Sequence, residues 1–134
     1  MRKIVLVVED DSDILIDISV LIQFSDFVII NANNHKSALG LLYSHKPDII
    51  VSDMCMPHID GLELFNKVKS SVDLKDIPFI LMTSDRTKKE NIQQHKNNLC
   101  LVKPFETEEL LDNIIDLLKA KLKAKNNLLS IDPY

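Results

Sequence analysis

Ile49-Ile50-Val51-Ser52-Asp53-Met54-Cys55-Met56-Pro57-His58-Ile59-Asp60-Gly61 is the stretch whose reading decides the fold. An apolar, β-branched run carries a carboxylate to its end, and the loop that follows closes with Pro57 and Gly61. Apolar residues without alternation, bounded by turn formers, predict a strand covered on both faces. The strand is expected over Asp48 to Ser52, with Asp53 emerging directly from it.

Working outward, the same pattern recurs. Ile4 to Val8 is a second apolar run, stopped by Glu9-Asp10-Asp11. Ile14, Leu15, Ile18, Leu21 and Ile22 then repeat at helical spacing, behind Asp11 or Ser12 as the cap. Phe27 to Ile30 predicts another strand. Asn31 to His35 is a polar connection, and Ala38, Leu39, Leu41 and Leu42 are the buried side of a short helix that Pro47 stops. Beyond the central loop, Leu62, Phe65 and Val68 mark a helix from Gly61 to Ser70. Phe79 to Met82 is the fourth strand, ending in Thr83-Ser84-Asp85. A fourth helix is expected from Arg86 to Asn98, although Ile92 is its only apolar residue. Leu99 to Val102 is the fifth strand, followed by Lys103-Pro104-Phe105.

The last helix begins near Glu106, with Leu110, Leu111, Ile114, Ile115 and Leu118 as its stripe. Glu106, Glu108 and Glu109 lie in its first turn, where negative charge suits the helix dipole. Lys119, Lys121, Lys123 and Lys125 alternate around its end as a solvated surface, and Asn126 to Tyr134 is read as a frayed tail. Strands alternating with helical patterns specify an α/β fold: a doubly wound (βα)5 three-layer sandwich whose parallel sheet runs in the order 2-1-3-4-5.

Composition narrows the class. A chain of 134 residues is expected to form one domain, and 46% apolar residues argue against disorder. Aromatics are only 5% and Trp is absent, so the core is aliphatic. A formal charge of -4 gives no general attraction to nucleic acid. Cys55 and Cys100 have neither metal-ligand spacing nor a redox-pair motif, which suits a reduced, cytoplasmic setting. The apolar run after Met1-Arg2-Lys3 is too short for a signal peptide, and no apolar stretch approaches the roughly 20 residues that span a membrane.

Parallel strands bring all their carboxyl ends to one edge. Asp10 and Asp11 follow strand one, Asp53 strand three, Thr83 and Ser84 strand four, and Lys103 strand five. Clustered carboxylates repel unless a cation joins them, and hard oxygen ligands suit Mg²⁺. Lys103 offers a point charge for a phosphate oxygen or a carboxylate, and the Thr83 hydroxyl a donor for a second phosphoryl oxygen. A nucleophile, a metal cradle and charge-neutralising donors are what phosphoryl transfer to a carboxylate needs. Each residue alone has a plainer reading, as a helix cap or a solvated charge; their joint placement at the strand ends favours the chemistry.

These residues resemble the receiver domain of two-component response regulators, the CheY-like superfamily with its flavodoxin-like fold. The matching segments are Val5-Leu6-Val7-Val8-Glu9-Asp10-Asp11, Pro47 through Pro57, Asp60-Gly61, Thr83-Ser84 and Lys103-Pro104-Phe105, over roughly residues 3 to 120. The resemblance implies that Asp53 is the phosphoacceptor for a sensor histidine kinase or a histidine phosphotransfer protein. It implies Mg²⁺ on Asp10, Asp11, Asp53 and the main-chain carbonyl of Cys55, Asp11 being the more direct of the first two. It further implies that Thr83 moves toward the phosphoryl group, that Lys103 pairs with it, and that Pro104 follows a cis peptide bond.

The expected protein is therefore a phosphorylation-switched protein–protein interaction module rather than a turnover enzyme. Residues 1–121 would form the receiver, and 122–134 a C-terminal tail or truncated linker. It would act as a monomer or a phosphorylation-dependent dimer, without direct nucleic-acid binding or membrane insertion, on a downstream partner the sequence does not specify.

Departures fall on the side that transmits the signal. Cys100 occupies the position, three residues before the lysine, where the family usually has Tyr or Phe. Lys96-Asn97 replaces the usual Gly-Ala, with Asn97 or Asn98 suited to a left-handed turn. A constitutive binding module with little dependence on phosphate is the alternative these changes raise. A Mg²⁺-dependent aspartyl phosphatase is a third reading; it would want a nucleophile after strand one and a second aspartate two residues on, which Glu9-Asp10-Asp11-Ser12 does not offer.

Overall fold

The computed structural model describes residues 2–23, 26–56, 59–88 and 97–130. In chain order the elements are β1 (Lys3–Val8), α1 (Ser12–Gln23), β2 (Phe27–Ala32), α2 (His35–His45), β3 (Ile49–Asp53), β4 (Cys55–Met56), β5 (Ile59–Asp60), α3 (Gly61–Ser70), β6 (Phe79–Thr83), β7 (Asn98–Val102) and α4 (Thr107–Ser130). The main sheet is parallel, in the order β2-β1-β3-β6-β7. Counting its strands alone, this is the expected 2-1-3-4-5.

Each central strand is covered on both faces, as its unbroken apolar run predicts. Successive side chains point to opposite sides of a strand, so each run feeds two cores. Leu6, Val8, Ile50, Leu81 and Phe79 pack with Ala38 and Leu42 of α2 and with Leu64, Phe65 and Val68 of α3. Val5, Val7, Ile49, Val51, Ile80 and Met82 pack with Ile18 and Ile22 of α1 and with Leu110 and Ile114 of α4. With few aromatics available, one contact stands out: Phe65 and Phe79 meet edge to face at 5.2 Å.

Local chemistry ends the elements. Asn34 caps α2, its side chain accepting from the Ser37 amide at 2.8 Å. Lys46 closes that helix in the left-handed region at φ 47, and Pro47 follows. Asn34→Ala should cost about 1 kcal/mol in urea unfolding, the usual worth of such a cap. No change at all would mean that the cap adds nothing.

Three expectations need correction. Asn97 stands at φ 72 and Asn98 already belongs to β7, so no helix reaches Asn98. A 3-10 turn occupies Arg86–Lys88, and the remainder of that expected helix lies outside the described residues. The segment expected as a frayed tail is helical as far as Ser130. Between Leu117 and Asn126 the chain holds Ala, Leu and Lys with no Gly or Pro, which favours continuing the helix. Finally, the loop after Asp53 contains a small antiparallel pair, Cys55 opposite Asp60 and Met56 opposite Ile59. Pro57 and His58, its turn, lie outside the described residues. No described helix is long and apolar enough to cross a membrane.

Candidate functional site

The site forms where β1, β3, β6 and β7 end. Register places it: Val8 pairs with Ser52, so the next residues, Glu9 and Asp53, leave the sheet side by side. Met82 pairs with Asp53 and Thr83 with Val102, which brings the following Lys103 to the same edge. The Met54 amide donates to the Met82 carbonyl at 2.8 Å, and the Lys103 amide to the Thr83 carbonyl at 2.7 Å. These bonds tie the ends of β3, β6 and β7 together.

Asp53 is 7% exposed, and Lys103 Nζ donates to its Oδ2 at 3.1 Å. Oxygens of Glu9, Asp10 and Asp53 lie within 4.8 Å of one another. Asp10 is exposed, while Glu9 is almost wholly buried. Thr83 is buried, its hydroxyl accepting from the Asp85 amide at 3.0 Å. Lys103 is followed by a cis peptide bond to Pro104.

The structure revises one pair. Asp10 and Asp11 were expected as the acidic couple, but it is Glu9 and Asp10 that gather around Asp53. Asp11 instead caps α1, its Oδ1 accepting from the amides of Asp13 and Ile14 at 3.0 and 3.3 Å. Sequence reasoning passed over Glu9 because three consecutive acids carry no periodicity. Register would have found it, since the strand ending at Val8 aligns its next residue with Asp53. Cys55 lies two residues beyond Asp53 in β4, where its main chain closes the hairpin.

Electrostatics mark Glu9 as the strained member. Its Oε1 accepts the Asp11 amide at 3.3 Å, but Oε2 is buried with no hydrogen-bond partner. Burial, then the charge of Asp53, pushes its carboxyl from 4.5 up to about 7, against the opposing pull of Lys103. Asp53 offers Oε2 a partner only when one of the two carboxyls holds a proton. Folded chain therefore keeps a proton on Glu9 across a window, from about 4.5 to about 7, in which the unfolded chain has released it. Stability falls as pH rises through that window, because the folded state binds more protons there. Without divalent cations, Glu9→Gln should unfold later than wild type at pH 8 and lose this slope. An unchanged slope in urea titrations across that range would show that Glu9 is not its source.

An orphaned, buried carboxylate oxygen beside two further carboxylates is the donor set a hard divalent cation such as Mg²⁺ satisfies. Gly61 completes the site from beneath. A Cβ there would run into the Asp53 carbonyl oxygen and come within 2.7 Å of Met54 Cα. Its amide donates to the Met54 carbonyl at 3.0 Å.

The profile of the response regulator receiver domain matches residues 5–115. The response regulator MprA of Mycolicibacterium vanbaalenii is 32% identical over 117 residues, which is 86% of this chain and 50% of that protein. Histidine kinase P4 of Formosa agariphila is 31% identical over 127 residues, 92% of this chain but 9% of the kinase. The chain thus spans half or less of the curated relatives it matches. Among solved structures, the chemotaxis response regulator CheY4 of Vibrio cholerae superposes with a TM-score of 0.77 at 27% identity, covering 87% of this chain and 99% of that one. With sheet order, strand-end carboxylates and a family profile all in agreement, the chain belongs to the response regulator receiver domain family.

Proposed function

We propose that this receiver is switched by phosphorylation of Asp53, and that the switch acts on a protein–protein interaction. One observation carries the reading: a nearly buried carboxylate at a strand end is held by an ammonium at 3.1 Å inside a carboxylate cluster. Phosphoryl groups develop charge on their oxygens during transfer, and this arrangement neutralises it.

In the proposed reaction an Asp53 carboxylate oxygen attacks the phosphorus of a phosphohistidine. The P–N bond breaks, its electrons stay on the imidazole, and an acyl phosphate forms on Asp53. Receiver domains typically bind Mg²⁺ at an acidic pocket, and here Asp10, Asp53 and the Cys55 carbonyl would hold it, with Glu9 alongside. Bound there, the ion supplies charge neutralisation for the phosphoryl oxygens. Lys103 then exchanges its bond to Asp53 for one to a phosphoryl oxygen. Thr83 leaves the Asp85 amide and turns its hydroxyl proton toward another oxygen. Both residues sit where β6 and β7 end, so their movement carries the change into the loops beyond. Cys100, buried in the core at 2% exposure, offers no ring for that movement; Thr83 and the loops would carry it alone.

A donor has a surface to use. An apolar hollow of about 460 Å³ lies beside Lys103, between Ile14 and Ile18 of α1 and Phe105. Ile16 and Val20 of α1 are 58% and 50% exposed. The donor would be a sensor histidine kinase or a histidine phosphotransfer protein, and the domain, over about 1–121, a phosphoacceptor rather than a turnover enzyme. Transfer from a phosphorylated phosphotransfer protein, followed by borohydride reduction, tests this. Homoserine at position 53 in the digested chain is expected. Unreduced Asp53 with the phosphoryl group recovered elsewhere would refute it.

A further inference from the structure

At the opposite edge of the sheet, where the parallel strands begin, lies a groove of about 350 Å³. Phe27, the first residue of β2, forms its floor with Ile115, Leu118 and Leu122 of α4. Leu122 is 57% exposed, on a helix that runs on to Ser130. Lys3, Lys119, Lys121 and Lys125 rim this floor.

One carboxylate, Asp48, also lines the groove and offsets the charge of Lys3, which leaves the lysines of α4 as the excess. Arg2 is paired with Asp26 at 3.2 Å, and Lys3 stands 4.0 Å from Asp48. Among the described residues, the lysines of α4 have no carboxylate at ion-pair distance. Lys69 is lowered to about 8 by burial, against the pull of Asp76, with the charge of Lys121 adding the smallest contribution. Positive charge is thus concentrated over an apolar floor, on a chain whose net charge is -4.

We infer that this groove binds an acidic peptide segment of a partner protein. One aliphatic or aromatic side chain of the segment seats on Phe27, Leu118 and Leu122, and its carboxylates face Lys119, Lys121 and Lys125. An apolar anchor within a charged rim supplies affinity from the floor and orientation from the rim. Charge complementarity selects this occupant. A second copy of the face would set the same lysines against one another. A bilayer would need apolar side chains that protrude, whereas this floor is concave, and the net negative charge of the chain opposes an anionic surface. The site involves none of the residues around Asp53, so it stands or falls apart from the phosphorylation reading.

The test is fluorescence anisotropy of the full chain with a labelled peptide of about a dozen residues, leucines at helical spacing among glutamates. Saturable binding is expected, weakening as salt rises. The double variant Lys119→Glu with Lys125→Glu, and separately Leu122→Ser, should each weaken it by roughly tenfold or more. Both variants should fold, their sites being exposed, and circular dichroism of each checks this. Several results would overturn the inference: no binding, equal binding of a peptide with lysine for glutamate or serine for leucine, or unchanged affinity of the double variant. So would retention on phosphatidylserine vesicles in place of the peptide, or self-association that Leu122→Ser abolishes.

Discussion

Gly61→Ala lowers the free energy of unfolding by about 3 kcal/mol or more, the size expected when added atoms meet a backbone that must itself move. Gly61 opens α3 directly beneath the end of β3. The atoms a Cβ would strike belong to the main chain of Asp53 and Met54, not to side-chain tips that can swing aside. Nor is conformation the issue, since no glycine has positive φ. Space is the reason, and the cost cannot be avoided by a change of rotamer. Relief comes only by shifting α3 or the end of β3. The second course displaces Asp53 itself, so the variant should also accept phosphoryl groups more slowly than its stability alone explains. Denaturant titration checks the first effect, and labelling well below the unfolding midpoint the second. A loss under 0.5 kcal/mol, about the worth of an ordinary surface change, would show that the helix slides away at little cost.

Lys103→Met produces two effects of opposite sign. The ammonium is bonded to Asp53 at 3.1 Å and is the cation paired with this cluster among the described residues. Methionine keeps most of the aliphatic stem and removes the charge. A divalent cation then meets the carboxylates without a competing positive neighbour, so Mg²⁺ affinity should rise by roughly tenfold or more, a fraction of the about 4 kcal/mol that two unit charges 4 Å apart exchange at an effective dielectric of 20, because solvent screens a partly exposed ammonium. Phosphoryl acceptance should fall by roughly tenfold or more, because one stabilising donor of the transferring group is gone. Calorimetric Mg²⁺ titration and time-resolved labelling separate the two. If both fall together, Lys103 acts by holding the site in shape rather than by its charge.

Much of this architecture could be read from residue order, and for a physical reason. Strands covered on both faces need unbroken apolar runs, and such runs bounded by charge have few other uses. Gly61 to Ser70 was bounded correctly because a glycine and a clear apolar stripe mark it. That Asp53, Thr83 and Lys103 lie together follows from the sequence because parallel strands share one carboxyl edge. What escaped depended on partners across the sheet. Choosing Glu9 over Asp11 needs the register of β1 on β3 and the turn by which Asp11 caps α1. The pairing of Cys55–Met56 with Ile59–Asp60 is too short to leave a pattern. The length of α4 was missed because alternating lysines look like an end, although Ala, Leu and Lys all favour helix.

The function proposed for this domain rests on Asp53 being a phosphoacceptor whose neighbours serve phosphoryl transfer. Its most direct measurement is intact mass after incubation with a small phosphodonor and Mg²⁺. One added phosphoryl group is expected on the wild-type chain and none on Asp53→Asn. An unmodified wild-type chain, or equal labelling of Asp53→Asn, would contradict it.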